Sequence, residues 1–252
     1  MFAALPMYDR PETAAAHDAL WTGIRDRLRS DGIDAPASLD RETDHMAGWA
    51  RDDLLLGQIC NLPLRVLHRR RLTVLGCGDY GLDGTAPGLY RSLFVVRDDH
   101  PARRPEDAVH EPFAYNDALS WSGWGAPWHW ADANGLFLTP ALATGAHTAS
   151  ARAVADGRAG LAAIDAITWR ALQRWEPAAA RLRVIGRTGA SPGQSFVTAR
   201  PEHADAIRAA LAAAIAGLPS EHAATLGLRG IVRLPDTAYD LAVPPDPQAI
   251  AA

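Results

Sequence analysis

The chain has 252 residues, 48% of them hydrophobic and 21% charged, which is enough apolar material to bury a core and excludes intrinsic disorder. Its 25 basic residues against 29 acidic ones leave a net charge of −4, which argues against a nucleic-acid binder relying on bulk electrostatics. Every one of those basic residues is Arg, so Schiff-base chemistry and a phosphate-binding P-loop, both of which need Lys, are ruled out.

In chain order, Ala3–Tyr8 reads as a first strand, and Thr13–Ser30 as a helix with Leu20, Trp21, Ile24 and Leu28 on one face. Leu54–Ile59 is a buried strand, Arg71–Leu75 another, and Leu89–Arg97 a longer one running into the polar, Pro-rich stretch 98–105. Pro112–Tyr115 starts a second alternation of strands and helices. It contains the Trp-rich run Trp121–Trp130, a helix over Ala149–Asp156, a strand at Leu161–Ile164, a helix over Ala166–Trp175 and a strand at Leu182–Ile185. After the Gly/Pro/Ser break at Gly189–Gly193 come a strand at Ser195–Thr198 and a helix from about Pro201 to Ala216. The tail from Pro235 reads as an extended strap. The pattern is α/β. The two breaks divide it into a lobe formed by 1–97 and 192–252 and a second lobe, 98–191, inserted into the first. Hinges are expected near Arg97–Asp99 and Gly189–Gly193, with a ligand cleft between the lobes.

Two familiar motifs fail on chemistry. Gly76-Cys77-Gly78-Asp79-Tyr80-Gly81 spells a dinucleotide fingerprint, yet the glycines and proline in 82–88 leave no helix to hold a pyrophosphate. Gly189-Ala190-Ser191-Pro192-Gly193 spells a nucleophile elbow, but Pro192 lacks the N–H that the oxyanion hole requires after the serine. Cys60 and Cys77 read as small buried residues. The nine histidines form no metal-ligand spacing, so neither a metal nor another cofactor is expected. The Trp-rich run reads as packing between lobes or as an aromatic wall.

Three polar segments remain in the inserted lobe. Ser120-Trp121-Ser122-Gly123 places two hydroxyls where a helix can begin, an arrangement suited to an anion. Thr144-Gly145-Ala146-His147 opens another helix with a histidine at its entry. Asp165 closes a buried strand. Strand ends and helix starts share one edge of an α/β sheet, where open sheets bind ligands.

With these segments, Leu5-Pro6-Met7-Tyr8-Asp9, Leu56-Gly57-Gln58-Ile59-Cys60, Tyr115-Asn116, Ala155-Asp156-Gly157 and Ala163-Ile164-Asp165 make the chain resemble the phosphate/phosphite/phosphonate-binding proteins of ABC importers. The resemblance covers about residues 3–200 and implies the two-lobed type 2 periplasmic-binding-protein fold. It implies that Ser120, Trp121 and Ser122 grip an oxyanion, that His147 adds a donor, and that Asp165 accepts from a protonated ligand group. It further implies that Tyr8 and Gln58 line the cleft from the first lobe. Trp121 stands where the family often has a small or polar residue, and Asn61 replaces a frequent glycine. The expected protein is therefore a monomeric solute-binding protein, not an enzyme, that closes around a phosphonate, phosphite or phosphate and works with an importer permease. An alternative is a cytoplasmic enzyme on the same fold, of the menaquinone- or thiamin-pathway kind, acting on a small organic acid; a third is an intracellular ligand sensor. The N-terminus, as written, has no export signal and reads as cytoplasmic, whereas an omitted upstream signal would place the protein in the periplasm or at the cell surface.

Overall fold

The computed structural model describes residues 1–251. The chain begins with β1 (Phe2–Ala4), α1 (Ala14–Ser30), α2 (His45–Trp49) and β2 (Leu54–Ile59). A short α3 (Asn61–Pro63) widens into a π-helical turn over Leu64–His68, followed by β3 (Thr73–Asp79), β4 (Leu89–Tyr90), β5 (Ser92–Arg97) and β6 (Pro112–Tyr115). Another π-helical turn, Trp121–Gly125, leads into α4 (Ala126–Ala133). Next come β7 (Thr139–Ala143), α5 (His147–Ala155), β8 (Leu161–Asp165) and α6 (Ala166–Trp175). The remainder is β9 (Leu182–Arg187), β10 (Ser191–Pro192), β11 (Ser195–Thr198), α7 (Ala204–Ala216), α8 (Ser220–Leu226), β12 (Gly230–Val232) and α9 (Pro247–Ala251).

The chain folds as two compact units, unit 1 formed by Met1–Leu89 with Pro192–Tyr239, and unit 2 by Tyr90–Ser191 with Asp240–Ala252. Unit 1 holds a five-stranded sheet in the order β1-β2-β11-β3-β12. β1 runs parallel to β2, while β11 lies antiparallel between β2 and β3, pairing Phe196 with Gln58 and Ser195 with Cys77. The apolar stripe of α1 buries Leu20, Trp21, Ile24 and Leu28, and the matching stripe of its neighbour α7 buries Ile207, Leu211 and Ile215. A separate cluster gathers Phe2, Trp49, Leu54, Ile59, Cys77, Val197 and Tyr239.

The glycines that imitate a nucleotide fingerprint lie inside or just beyond β3. Gly76 has φ of +154°, and a Cβ there would come within 3.0 Å of the Val232 carbonyl on β12. Close strand approach accounts for that glycine.

Unit 2 carries the second sheet, in the order β7-β6-β8-β5-β9. β6 is parallel to β7 and β8, whereas β5 is antiparallel to β8 and β9. The pleat sorts successive residues to opposite faces. Val95, Ala162 and Ile164 meet Val154 of α5 and Leu172 of α6, while Phe94, Val96, Leu161 and Ala163 meet Phe113 and Trp124. With both faces covered, these strands are apolar at nearly every position.

Two boundaries differ from the sequence expectation. Residues 90–97 and 240–252, expected in the first lobe, belong to unit 2. Hydrogen bonding decides the first of these, because β5 pairs on one side with β8 (Phe94 with Ala163) and on the other with β9 (Phe94 with Gly186), making it an interior strand of that sheet. The polar stretch 98–105 is thus a loop within unit 2, and Arg97–Asp99 stands at no crossing. The tail is held by buried partners of the same unit, with Trp124 Nε1 donating to the Pro245 carbonyl at 2.8 Å. It is also not a plain strap, since Asp236–Tyr239 forms a 3-10 turn and Pro247–Ala251 a helix. The chain passes between units inside β4 (89/90) and inside β10 (191/192), and again after Tyr239.

Candidate functional site

Unit 2 collects four of the expected side chains around the π-helical turn. Ser120 caps the turn, its Oγ accepting from Gly123 N at 3.0 Å and its carbonyl receiving Trp124 N and Gly125 N. That leaves the Ser120 hydroxyl proton to be donated elsewhere. Ser122 Oγ lies 3.5 Å from Ser120 Oγ and 2.7 Å from His147 Nε2, the first residue of α5. The glycines of the turn are sterically required. A Cβ on Gly123 would fall 1.6 Å from Asn116 Oδ1, and one on Gly125 would fall 2.6 Å from the Trp121 ring.

Burial pushes the His147 imidazole down to about 4, outweighing the opposing effect of the Ala163 backbone. The ring is therefore neutral near pH 7, with one donor and one acceptor nitrogen. Together the turn and His147 offer hydroxyl and imidazole groups in a buried setting, where hydrogen bonds to an anion are strong.

Asp165 ends β8 and caps α6, its Oδ1 accepting from Ile167 N at 2.7 Å and Thr168 N at 3.0 Å. This carboxylate is 1% exposed, and the cap commits one of its oxygens. Trp121 is also anchored: its Nε1 donates to Ser191 Oγ at 2.7 Å, and its ring packs against His129 with centroids 5.1 Å apart. The Trp-rich run thus splits into roles. Trp124 is fully buried in the sheet core, Trp128 and Trp130 pack at its margin, and Trp121 belongs to the serine turn.

The sequence singled out neither Ser92 nor Thr188 for this site. Ser92 Oγ donates to the Ser122 carbonyl at 2.8 Å, and Ser92 exchanges backbone and side-chain bonds with Thr188. The available signal was a lone hydroxyl at the start of the apolar strand Ser92-Leu93-Phe94-Val95-Val96, a position where burial requires a partner.

In unit 1, Tyr8 and Gln58 meet through a third residue, Tyr80. Gln58 is 1% exposed on β2; its Nε2 donates to Tyr80 Oη at 3.0 Å and its backbone carbonyl accepts from Trp49 Nε1 at 2.9 Å. The Tyr8 ring meets Tyr80 edge-on at 5.1 Å. Tyr80 carries no local signal of such a role, because it sits within the glycine run Gly76–Gly81. Unit 1 also holds a cavity of about 480 Å³ beside β1, walled by Leu5, Asp9, Arg41, Asp44 and Trp49; neither Tyr8 nor Gln58 lines it. Among the described residues, no cluster of three or more His, Cys, Asp or Glu side chains could hold a metal ion. No helix among them is long and apolar enough to cross a membrane.

Comparison with solved structures identifies the fold. PhnD1 from Prochlorococcus marinus, in complex with methylphosphonate, superposes with a TM-score of 0.70 at 15% identity, covering 95% of this chain and 94% of that one. A binding protein component of the ABC phosphonate transporter of Pseudomonas aeruginosa gives 0.69 at 18% identity, covering 95% and 82%. A Xanthomonas citri protein bound to ATP gives 0.69 at 15% identity, covering 100% and 95%. These likenesses show the type 2 periplasmic-binding-protein fold. Comparison with curated proteins finds no match. The family model described as "ABC transporter, phosphonate, periplasmic substrate-binding protein" matches residues 2–239. The chain therefore belongs to the phosphonate-binding family of ABC-transporter substrate-binding proteins, a family of solute binders that serve transport.

Proposed function

We propose that this protein binds a small phosphorus oxyanion, a phosphonate or phosphite in preference to an organic acid, and delivers it to the permease of an ABC importer outside the cytoplasm. The observation that carries the reading is the Ser120–Ser122 turn beside a neutral His147, with its two hydroxyls 3.5 Å apart and the imidazole 2.7 Å from the second. Such a set holds an anion through donated hydrogen bonds. Ser120 and Ser122 grip the oxyanion directly, His147 donates from Nε2–H to Ser122 Oγ and so leaves the Ser122 proton for the ligand, and Trp121 shapes the turn. Asp165 accepts from a protonated ligand oxygen through whatever capacity its helix cap leaves. Tyr8 and Gln58, joined through Tyr80 within unit 1, are the remaining candidate ligand residues. The methylphosphonate held by the Prochlorococcus relative supports the same ligand class. No covalent step is part of this reading, and the protein acts as a monomer.

The test is titration calorimetry of the purified chain with methylphosphonate, phosphite, phosphate, sulfate and a set of small organic acids. Binding of one phosphorus oxyanion is expected, weakened by about 1–3 kcal/mol in Ser122→Ala because the partner is charged. Phosphorus NMR should return the ligand unaltered, and gel filtration should give a monomer. Silence from every phosphorus compound with heat from an organic acid would reject the reading; conversion of that acid would favour the enzyme.

A further inference from the structure

Two buried serines that the ligand reading does not use bind the serine turn to the places where the chain leaves unit 2. Ser92, the third residue after the 89/90 crossing, is 1% exposed, and its Oγ donates to the Ser122 carbonyl at 2.8 Å. Its own backbone is locked in both directions, Ser92 N donating to Thr188 Oγ1 at 3.0 Å and Thr188 N donating to Ser92 O at 2.9 Å. Ser191, the last residue before the 191/192 crossing, accepts the Trp121 Nε1 proton at 2.7 Å. Adjacent residues of one turn, 121 and 122, are thereby tied to the two crossings separately.

Packing alone does not ask for these serines. Alanine would fill either position, but would leave the Ser122 carbonyl or the Trp121 N–H without the partner it now has, and a buried polar group left unpaired is costly. Hydrogen bonds are directional, so displacement of the turn by a fraction of an ångström must be met by movement of Ser92 or Ser191 or by loss of the bond.

We infer that Ser92 and Ser191 are positioning residues through which occupancy of the Ser120–Ser122 turn is transmitted to the two chain crossings. The inference rests on the functional reading above, because it takes that turn as the ligand's seat. Ser92 sets the direction of the Ser122 backbone and hence of its hydroxyl, while Ser191 fixes the indole that forms the other half of the turn. Neither residue needs to touch the ligand.

The test uses the full chain with methylphosphonate as the probe and combines calorimetry with hydrogen exchange at residues 88–93 and 188–193. In the wild-type chain, ligand should slow exchange in both segments. Ser92→Ala is expected to bind about tenfold more weakly and to lose the ligand-dependent slowing at 88–93, and Ser191→Ala to lose it at 188–193. Ser92→Thr, which keeps the hydroxyl, should restore both readouts; a merely structural role would change exchange with and without ligand alike. Trp121→Phe removes the indole donor and provides a second route to the Ser191 bond should Ser191→Ala fail to fold. Wild-type affinity and unaltered ligand-dependent slowing in the variants would overturn the proposal while leaving the functional reading intact. Failure of the wild-type chain to bind any phosphorus oxyanion would remove both.

Discussion

Ser122 and His147 are 25 positions apart in sequence yet meet at 2.7 Å, and burial of that imidazole gives the candidate site its pH behaviour. The imidazole titrates near 4 in the folded chain against an ordinary value of 6.5. Above about 6.5 neither the folded nor the unfolded ring carries a proton, and His147 makes no difference to the slope. Between about 6.5 and 4 the unfolded ring takes a proton that the folded ring refuses, so stability falls as the pH is lowered. The loss is on the order of 3 kcal/mol at most, and partial exposure of the ring trims it. Buried His17 and His68, also pushed down by desolvation, slope the same way. Urea unfolding of wild-type and His147→Gln chains at several pH values separates the contributions: the variant should lose less stability on acidification. Parallel curves would mean that His147 is not the half-buried neutral ring described here. At this scale the sequence marked several residues of the candidate site. Ser120, Ser122 and His147 stood out as donors at helix starts, and their proximity is what the fold adds. Ser92 and Tyr80 escaped notice because a serine in an apolar strand and a tyrosine in a glycine run look like parts of those runs.

At the level of elements, Asp165 joins β8 to α6, and its two bonds to Ile167 N and Thr168 N make it a strong N-cap. Capping and ligand acceptance can be separated by substitution. Asp165→Ala removes both and should cost about 0.5–2 kcal/mol of stability. Asp165→Asn keeps a good cap, because asparagine serves that role nearly as well, and should unfold close to wild type. If Asp165 also accepts a proton from the ligand, Asp165→Asn will bind more weakly at near-normal stability. Equal binding by Asp165→Asn, measured alongside chemical denaturation, would confine the residue to the helix cap. Elements with strong periodicity or firm punctuation, such as β2, β6, α6 and β11, appear where the residues call for them. β7 did not announce itself, because Thr139-Pro140-Ala141-Leu142-Ala143 carries a proline. As an edge strand parallel to β6 it can spare that N–H. α4 was hidden too, although Pro127 sits in its first turn, where proline fits a helix best. Leu89–Arg97 read as one strand but breaks at Arg91 into β4, which pairs with β10, and β5, which pairs with β8 and β9.

Across the whole molecule, boundaries were the least legible feature, for a physical reason. Composition marks where the chain is polar, whereas hydrogen-bond ladders decide which sheet a strand joins, and these long-range pairings leave no local trace. The tail is the clearest case: rich in proline and following the last strand of unit 1, it nevertheless finds its partners in unit 2. Trp124 is fully buried and its indole Nε1 donates to the Pro245 carbonyl, and His129 Nε2 lies 2.8 Å from the Ala242 carbonyl. Ending the chain at Tyr239 should therefore remove the acceptor of the buried Trp124 indole, costing up to about 1–3 kcal/mol for the orphaned N–H, while Cys77, Ser195 and Tyr239 keep their mutual bonds in unit 1. Hydrogen exchange resolved by peptide provides the check. Faster exchange is expected in β6, α4 and β8 of the shortened chain, with β2, β3 and β11 unchanged. Equal acceleration in both sheets would show that the tail stabilises the molecule as one cooperative body, and would place it outside the core of unit 2.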